Sequence, residues 1–369
     1  MSRWAWVEIS TSAIRHNVGL LTGLVQPAQL WAVVKADGYG HGAIAASHAA
    51  LAGGARGLCV ALVQEGVALR SAGITAPVLV LSEQPPVQLR QAVRHELQLS
   101  VYSVEQVRAL EAAGAVAHPV HIKIDTGMRR VGVPAEGAVE LADAIAASPA
   151  THLVGVFTHL AMADEPDDSF TELQLRRFDA ALSAVRAAGH RPALVHVANS
   201  AGALTHPDAR RDMVRVGVAI YGISPGDALD LLVADLGLVP ALSLRARVSH
   251  VRRVAAGDGI SYGLRHRVAA DTTVATLPLG YADGVPRRLH AVGGEVLVCG
   301  RRCPIVGVIT MDQLMVDVGN LPVRVGDEAV LIGEQGTHCI TATDWAHRLD
   351  TIAYEVVCGL SGRLERRVV

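Results

Sequence analysis

The chain has 369 residues, enough at about 150 per domain for two or three folded units with ample core. Its 33 Lys plus Arg against 35 Asp plus Glu leave a formal net charge of −2, which excludes the basic excess of a nucleic-acid binder and a long acidic tail. Half of the residues are apolar and the mean hydropathy is +0.32, yet no apolar run approaches the ~18 residues of a membrane helix, and 36 glycines with 16 prolines exclude disorder and long coiled coil.

At the N-terminus, Glu8, Arg15 and His16 interrupt any apolar leader, so the start is expected to belong to the fold, with segment 1–10, and WAWVEIS (4–10) within it, as a strand joining the second domain. Eight short apolar runs follow: LWAVV (30–34), GLCVAL (57–62), VLVL (78–81), LQLSV (97–101), VHIKI (120–124), LVGVF (153–157), LVHV (194–197) and MVRVG (213–217). Between them lie segments of helical period. In TELQLRRFDAALSAVRAAG the apolar positions Leu173, Phe178, Leu182 and Val185 mark one face, and Gly189 marks the end. Near-continuous apolar strands separated by helices imply a parallel sheet buried on both faces, and eight units are the count of a closed (β/α)8 TIM-type barrel. The rival open sheet lacks a GxGxxG after its first strand.

Beyond about residue 236 the texture changes. The runs 241–254, 272–280, 294–300, 303–309, 314–319 and 327–333 are strand-like and divided by Gly-rich turns. The reading is therefore α/β, with a barrel over 11–236 and an all-β domain over 237–369. The five cysteines (59, 299, 303, 339 and 358) are scattered, and Cys299 with Cys303 lacks a second pair or a nearby His for zinc. Reduced structural thiols, a cytoplasmic location and no metal site are expected.

Lysine occurs only at Lys35 and Lys123, so 33 − 2 = 31 basic residues are arginine. Guanidinium replaces ammonium on a surface but not where a free amine must react, so the two lysines are either chance survivors or sites of amine chemistry. Barrel chemistry sits where strands end, and the polar residues gather there. Lys35 closes the first run; Lys123 and Asp125 belong to the fifth; His159 follows the sixth, Asn199 and Ser200 the seventh, and Arg215 and Gly217 the eighth. Loops after strands seven and eight of such barrels commonly hold a phosphate, a task suited to Ser200, Gly217 and Val218, with Tyr39 or Tyr354 as phenolic donors. A reactive lysine facing a phosphate site suggests pyridoxal phosphate held as a Schiff base.

The segments VVKADGYGHG (33–42), HIKIDTGMRRVG (121–132), FTHLAMADE (157–165), HVANSAG (196–202), MVRVGVAIYG (213–222), ISYG (260–263), LPLGYADG (277–284), TMDQLMVDVG (310–319) and TIAYEVVCGLSGR (351–363) make the sequence similar, over nearly its whole length, to the alanine racemase family. The resemblance implies a homodimer with shared active sites that interconverts L- and D-alanine on pyridoxal 5′-phosphate and supplies D-alanine for peptidoglycan. It gives Lys35 as the base on one face and Tyr262, from the partner subunit, as the base on the other. By the same likeness His159 bonds that tyrosine and the arginine at the cofactor ring nitrogen, Arg215. Arg130 lies near the substrate carboxylate, Met311 and Asp312 line the substrate site, and Tyr281 stands at the entrance. Lys123 is either carbamylated or a plain neighbour of Asp125. Three positions depart from the family pattern: Thr310 where cysteine is frequent, Arg129 where glycine is common, and Glu365 where proline is usual. The competing functions are a decarboxylase of the same architecture, which would want an acid at 215, a racemase of broader (serine) specificity, and a non-catalytic cofactor carrier, which has no use for a second base.

Overall fold

The computed structural model describes Arg3–Val369, so residues 1 and 2 of the N-terminal strand segment lie outside the described residues. The chain divides into two compact units: one holds the described residues through Thr11 with Tyr39–His41 and Ala241–Val369, the other Ser12–Gly38 and Gly42–Pro240.

Strand β1 (Ala5–Ile9) and helix α1 (Thr11–Val25) come first. Eight parallel strands then build the second unit: β2 (Gln29–Val33), β3 (Gly57–Val60), β4 (Val78–Val80), β5 (Gln98–Val101), β6 (His118–Asp125), β7 (Thr151–Phe157), β8 (Leu194–His196) and β9 (Met213–Val216). Hydrogen bonding runs β5-β4-β3-β2-β9-β8-β7-β6, and the β5–β6 pairing closes the cylinder. All eight apolar runs are strands of this (β/α)8 barrel. Ala-rich and amphipathic helices cover it, because a strand such as Gly57–Val60, buried at every position, needs apolar cover on both faces. In α2 (Phe170–Ala187) the buried face is Thr171, Gln174, Phe178, Ala181, Leu182 and Val185. Leu173 sits beside that face, half-buried, and Gln174 takes the inward position. The helix ends at Ala187, with Ala188 as its cap and Gly189 just beyond in a left-handed conformation (φ 100°).

In the other unit β10 (Leu242–Arg247), β11 (His250–Val254), β12 (Thr272–Leu277), β13 (Glu295–Val298), β14 (Arg301–Val306), β15 (Leu314–Gly319), β16 (Glu328–Gln335) and β17 (Glu365–Val368) join β1 in one sheet, ordered β11-β12-β15-β14-β13-β16-β10-β1-β17, with His338–Ile340 beside β16. The run 241–254, read as one strand, is two. At Val248 and Ser249 the backbone changes partners, from Asp327 O to Thr276 O, and the chain turns a corner of the sheet. Two short helices, Ala342–Leu349 and Ala353–Cys358, accompany the mostly-sheet unit, the first started by Thr341 and Asp344 in a reciprocal capping box. Glu365 is the first residue of β17 and pairs with Trp6, so the position where proline is usual serves as a strand start.

Candidate active site

Lys35 follows the last residues of β2, and the backbone then turns left-handed. Ala36, Asp37, Gly38 and Tyr39 have φ of 52°, 52°, 62° and 53°. Three of them carry a Cβ, and left-handed geometry costs such residues roughly 1–2 kcal/mol each, so the turn exists only because its surroundings impose it. Glu65 supplies much of that hold: its carboxylate accepts from Ala36 N (2.6 Å), Ala61 N (2.8 Å) and Leu62 N (3.0 Å). Asp37 accepts from Ala43 N at 2.8 Å.

Inside the barrel unit, Arg215 on β9 is buried. Its Nη1 donates to His196 Nδ1 (2.8 Å) and its Nη2 to Thr158 O (2.8 Å) and Val197 O (3.0 Å), with His159 Nδ1 at 3.5 Å. No carboxylate is among these partners. A guanidinium has five N–H groups, and three strong bonds leave the Nε–H and one Nη1–H without an acceptor among the described residues. Burial lowers its proton affinity to about 10, which keeps it cationic at neutral pH.

His159 is held in place from behind. Gln174 Nε2 donates to His159 O (3.0 Å) and to Thr126 Oγ1 (3.1 Å), its Oε1 accepts from Ala161 N (2.8 Å), and Thr126 and Thr158 share a hydroxyl bond of 2.8 Å. Burial, and then the charges of Arg215, Arg130, Lys123 and Lys35, push the His159 imidazole well below its ordinary value, so the ring is neutral. Lys123 on β6 is also buried. Its Nζ donates to Leu81 O (3.3 Å) and lies 5.5 Å from the Phe157 ring centroid. Burial, followed by the charges of Arg215, Arg130 and Lys35, lowers its amine to about 8, against a raising influence of Asp125. Arg130 is exposed on the loop after β6, and Arg129 before it is left-handed (φ 58°), a conformation that explains a preference for glycine there. Asp125 shapes this loop by accepting from Gly127 N (2.9 Å) and Arg129 N (3.1 Å).

At the ends of β8 and β9, Ser200 Oγ accepts from Gly217 N at 2.9 Å, which brings those two residues together; Val218 continues the same loop, buried. Asn199 is used locally, accepting from Gly202 N (2.9 Å) as cap of the Ser200–Thr205 helix and donating to Leu160 O (3.4 Å).

In the sheet unit the Tyr39 and Tyr354 rings meet at 6.0 Å, and Tyr39 is buried. Tyr262 is 73% exposed on a turn with positive φ at Ser261, Gly263 and Leu264, pinned by Ser261 Oγ donating to Val308 O (2.6 Å). It borders a cleft of about 930 Å³ with His250, Arg253, Ile260, Thr310 and Gln313. Tyr281 N donates to Thr310 O (3.0 Å) and Ala282 N to Met311 O (3.1 Å), joining the Tyr281 loop to Met311 and Asp312. Thr310 closes its own turn, its hydroxyl donating to Gln313 O (2.9 Å) and accepting from Gln313 N (3.1 Å). The buried Asp283 accepts from Arg3 (2.5 and 2.7 Å) and lies 3.5 Å from Arg363 Nε, and Arg363 donates to Asp312 at 2.6 Å. Of this group sequence reading singled out Asp312 alone, and it did not single out Gln174, His196 or His121. All five cysteines are free thiols.

Residues 9–225 match the family model described as alanine racemase, N-terminal domain, and residues 241–368 that described as alanine racemase, C-terminal domain. An alanine racemase of Symbiobacterium thermophilum is 47% identical over 368 residues, spanning 99% of this chain and 97% of its own. Among solved structures, alanine racemase from D-cycloserine-producing Streptomyces lavendulae superimposes with a TM-score of 0.93 at 38% identity, over 100% of this chain and 98% of that one. The Bacillus anthracis alanine racemase solved with bound L-Ala-P gives 0.94 at 38% identity, over 100% and 96%.

Proposed function

The chain belongs to the alanine racemase family and is an amino-acid racemase, and on that premise we propose that it interconverts L- and D-alanine with pyridoxal 5′-phosphate in the barrel unit. The observation that carries the proposal is Arg215. Arg215 has no carboxylate partner, and its three bonds leave the Nε–H and one Nη1–H to donate to an acceptor. A pyridine nitrogen fits that donor set, and the Ser200 hydroxyl, whose oxygen accepts from Gly217 N, can donate its proton to a phosphate beside Val218 of the same loop. Tyr39, Tyr354, Asn199 and His159 complete the proposed cofactor residues. When bound, the cofactor supplies an electron-withdrawing ring that acidifies the substrate Cα–H.

The chain's own groups do the rest. Inversion removes a proton from one face of Cα and returns one to the other, so two bases are needed: the Lys35 amine, which also anchors the cofactor, and the Tyr262 phenol of a second copy. The exposure of Tyr262 supports a role outside its own unit. A phenol is a poor base at neutral pH; the neutral His159, whose Nδ1 faces the Arg215 guanidinium, would donate its Nε2–H to the oxygen of that phenol. Arg215, a permanent cation, disfavours a proton on the ring nitrogen and so limits electron withdrawal, which suits inversion over transamination. Arg130 would meet the substrate carboxylate, Met311 and Asp312 would line its site, and the Tyr262, Tyr281 and Tyr354 phenols would confine the pocket to alanine ahead of serine. The lowered Lys123 amine favours carbamylation, since only a neutral amine adds carbon dioxide.

A cytoplasmic homodimer supplying D-alanine for peptidoglycan is the setting we propose. No helix among the described residues is long and apolar enough to cross a membrane, and the free thiols suit a reducing compartment. The test is circular-dichroic measurement of alanine inversion in both directions by the cofactor-loaded protein. Tyr262→Phe is expected to lower kcat by about 10²–10⁴. A Tyr262→Phe pH–rate profile identical to the parent's overturns the two-base role, and carbon dioxide release in place of inversion overturns the racemase.

A further inference from the structure

Barrel interiors are usually filled by branched apolar side chains in layers. Here a polar string crosses the lumen instead. Arg215 on β9 bonds His196 Nδ1 on β8 (2.8 Å), His196 Nε2 meets His121 Nδ1 on β6 (2.9 Å), and His121 Nε2 meets Gln98 Oε1 on β5 (2.8 Å). Both imidazoles are fully buried. The string is built in, not incidental: Phe157 stacks on His196 (4.6 Å between ring centres, 8° between planes), and a Cβ at Gly155 would collide with His121 Nδ1.

The chemistry of Arg215 fixes the direction of every bond. A guanidinium only donates, so His196 Nδ1 must be the bare nitrogen and its proton must sit on Nε2. That proton needs an acceptor, which makes His121 Nδ1 bare in turn and puts the His121 proton on Nε2, against the Gln98 carbonyl oxygen. Any reversed or doubly protonated member would set a donor against a donor between two fully buried rings. We infer that His121 and Gln98 are positioning residues for the racemase, holding His196 in the one tautomer that accepts from Arg215 and thereby fixing the guanidinium opposite the proposed ring nitrogen. The inference rests on the proposed reading of Arg215, but the direction of the string is observable without turnover. The other titratable or charged groups around the two rings are Arg215 itself and Lys123, two residues along β6 from His121; no carboxylate is bonded to either imidazole among the described residues. Burial and then the Arg215 charge take His121 down to about 3, and the same two causes take His196 well below its ordinary value.

The experiment is nitrogen NMR of the full chain with ¹⁵N-histidine, without and with pyridoxal phosphate, from about pH 6 to about pH 9, together with Gln98→Glu and Gln98→Leu. In the parent, both rings are expected as neutral Nε2–H tautomers throughout that range. Gln98→Glu puts a carboxylate against His121 Nε2–H and raises the ring's proton affinity. A second proton then arrives on His121 Nδ1, His196 is driven to the Nδ1–H form, and its contact with Arg215 becomes donor against donor. That variant should show the changed tautomer at the acidic end and gain an acidic limb in kcat, falling about tenfold per pH unit, with KM within about twofold. Gln98→Leu, which cannot ionise, should gain no such limb. An Nδ1–H tautomer or a titrating ring in the parent overturns the inference, as does a Gln98→Glu profile superimposable on the parent's. A protein that shows the expected tautomers but does not invert alanine overturns the proposed function and leaves the direction of the string standing.

Discussion

The two units present their candidate chemistry in opposite ways. In the barrel unit Arg215 and Lys123 are 3% and 6% exposed, and bonds to His196, Thr158, Val197 and Leu81 hold them. In the sheet unit Tyr262, Met311 and Tyr281 are 73%, 52% and 42% exposed, and what is fixed is their backbone, through Ser261, Thr310 and Gly280. Groups of the first kind have their charge and geometry set inside their own unit. Groups of the second kind are displayed outward on shaped turns, as the role proposed for them toward a second copy would require. Preorganisation is thus concentrated in the barrel, where an electrostatic role requires it.

The strongest way to break this contrast is to separate the two kinds of residue into different chains. Lys35→Ala and Tyr262→Phe proteins should each be nearly inactive. After mixing, unfolding and refolding together, hybrid dimers carrying one intact site should restore about a quarter of parental activity. No recovery would mean that Tyr262 serves its own chain or none. Next in size, Arg215→Glu should lower kcat for inversion by about 10²–10³ and raise the share of transamination, measured as pyruvate formed; an unchanged rate would remove the barrel's chief electrostatic element from the reaction. A several-fold effect is expected at Lys123. Its amine is mostly protonated at pH 7 and mostly neutral above about 8, so carbamate formation, followed as a ¹³C signal from labelled bicarbonate and absent in Lys123→Arg, should grow as pH rises through 8. The smallest effect concerns strain alone. Arg129→Gly relieves a left-handed arginine and should raise stability by up to about 1 kcal/mol in urea unfolding, net of the flexibility glycine adds to the unfolded chain.

The architecture was legible because the barrel strands are largely buried and leave near-continuous apolar runs, from LWAVV to MVRVG. The same property hid the string. His121 and His196 sit inside such runs, VHIKI and LVHV, and a run without alternation says nothing about which residues face the lumen until register is known. Gln174 went unread for a related reason: apolarity pointed to Leu173, while the buried face of α2 passes one residue further on, where a carboxamide can satisfy the His159 loop. Lys35, His159 and Ser200 stood out because a polar residue following an apolar run is itself a signal, and Arg215 because it is the one charge within the run MVRVG. The corner at Val248 was not, since no glycine or proline and only Ser249 breaks the sequence between β10 and β11.

Gly155 has a consequence for how this chain can vary over generations. Its bare α-carbon is the floor on which the His121 ring rests. Any larger residue at 155 would evict the imidazole, so a lineage can lose the ring first and fill the gap afterwards, but not in the other order. Drift at these two positions should therefore be correlated and directional, with descendants bearing a side chain at 155 found only where histidine has already gone from 121.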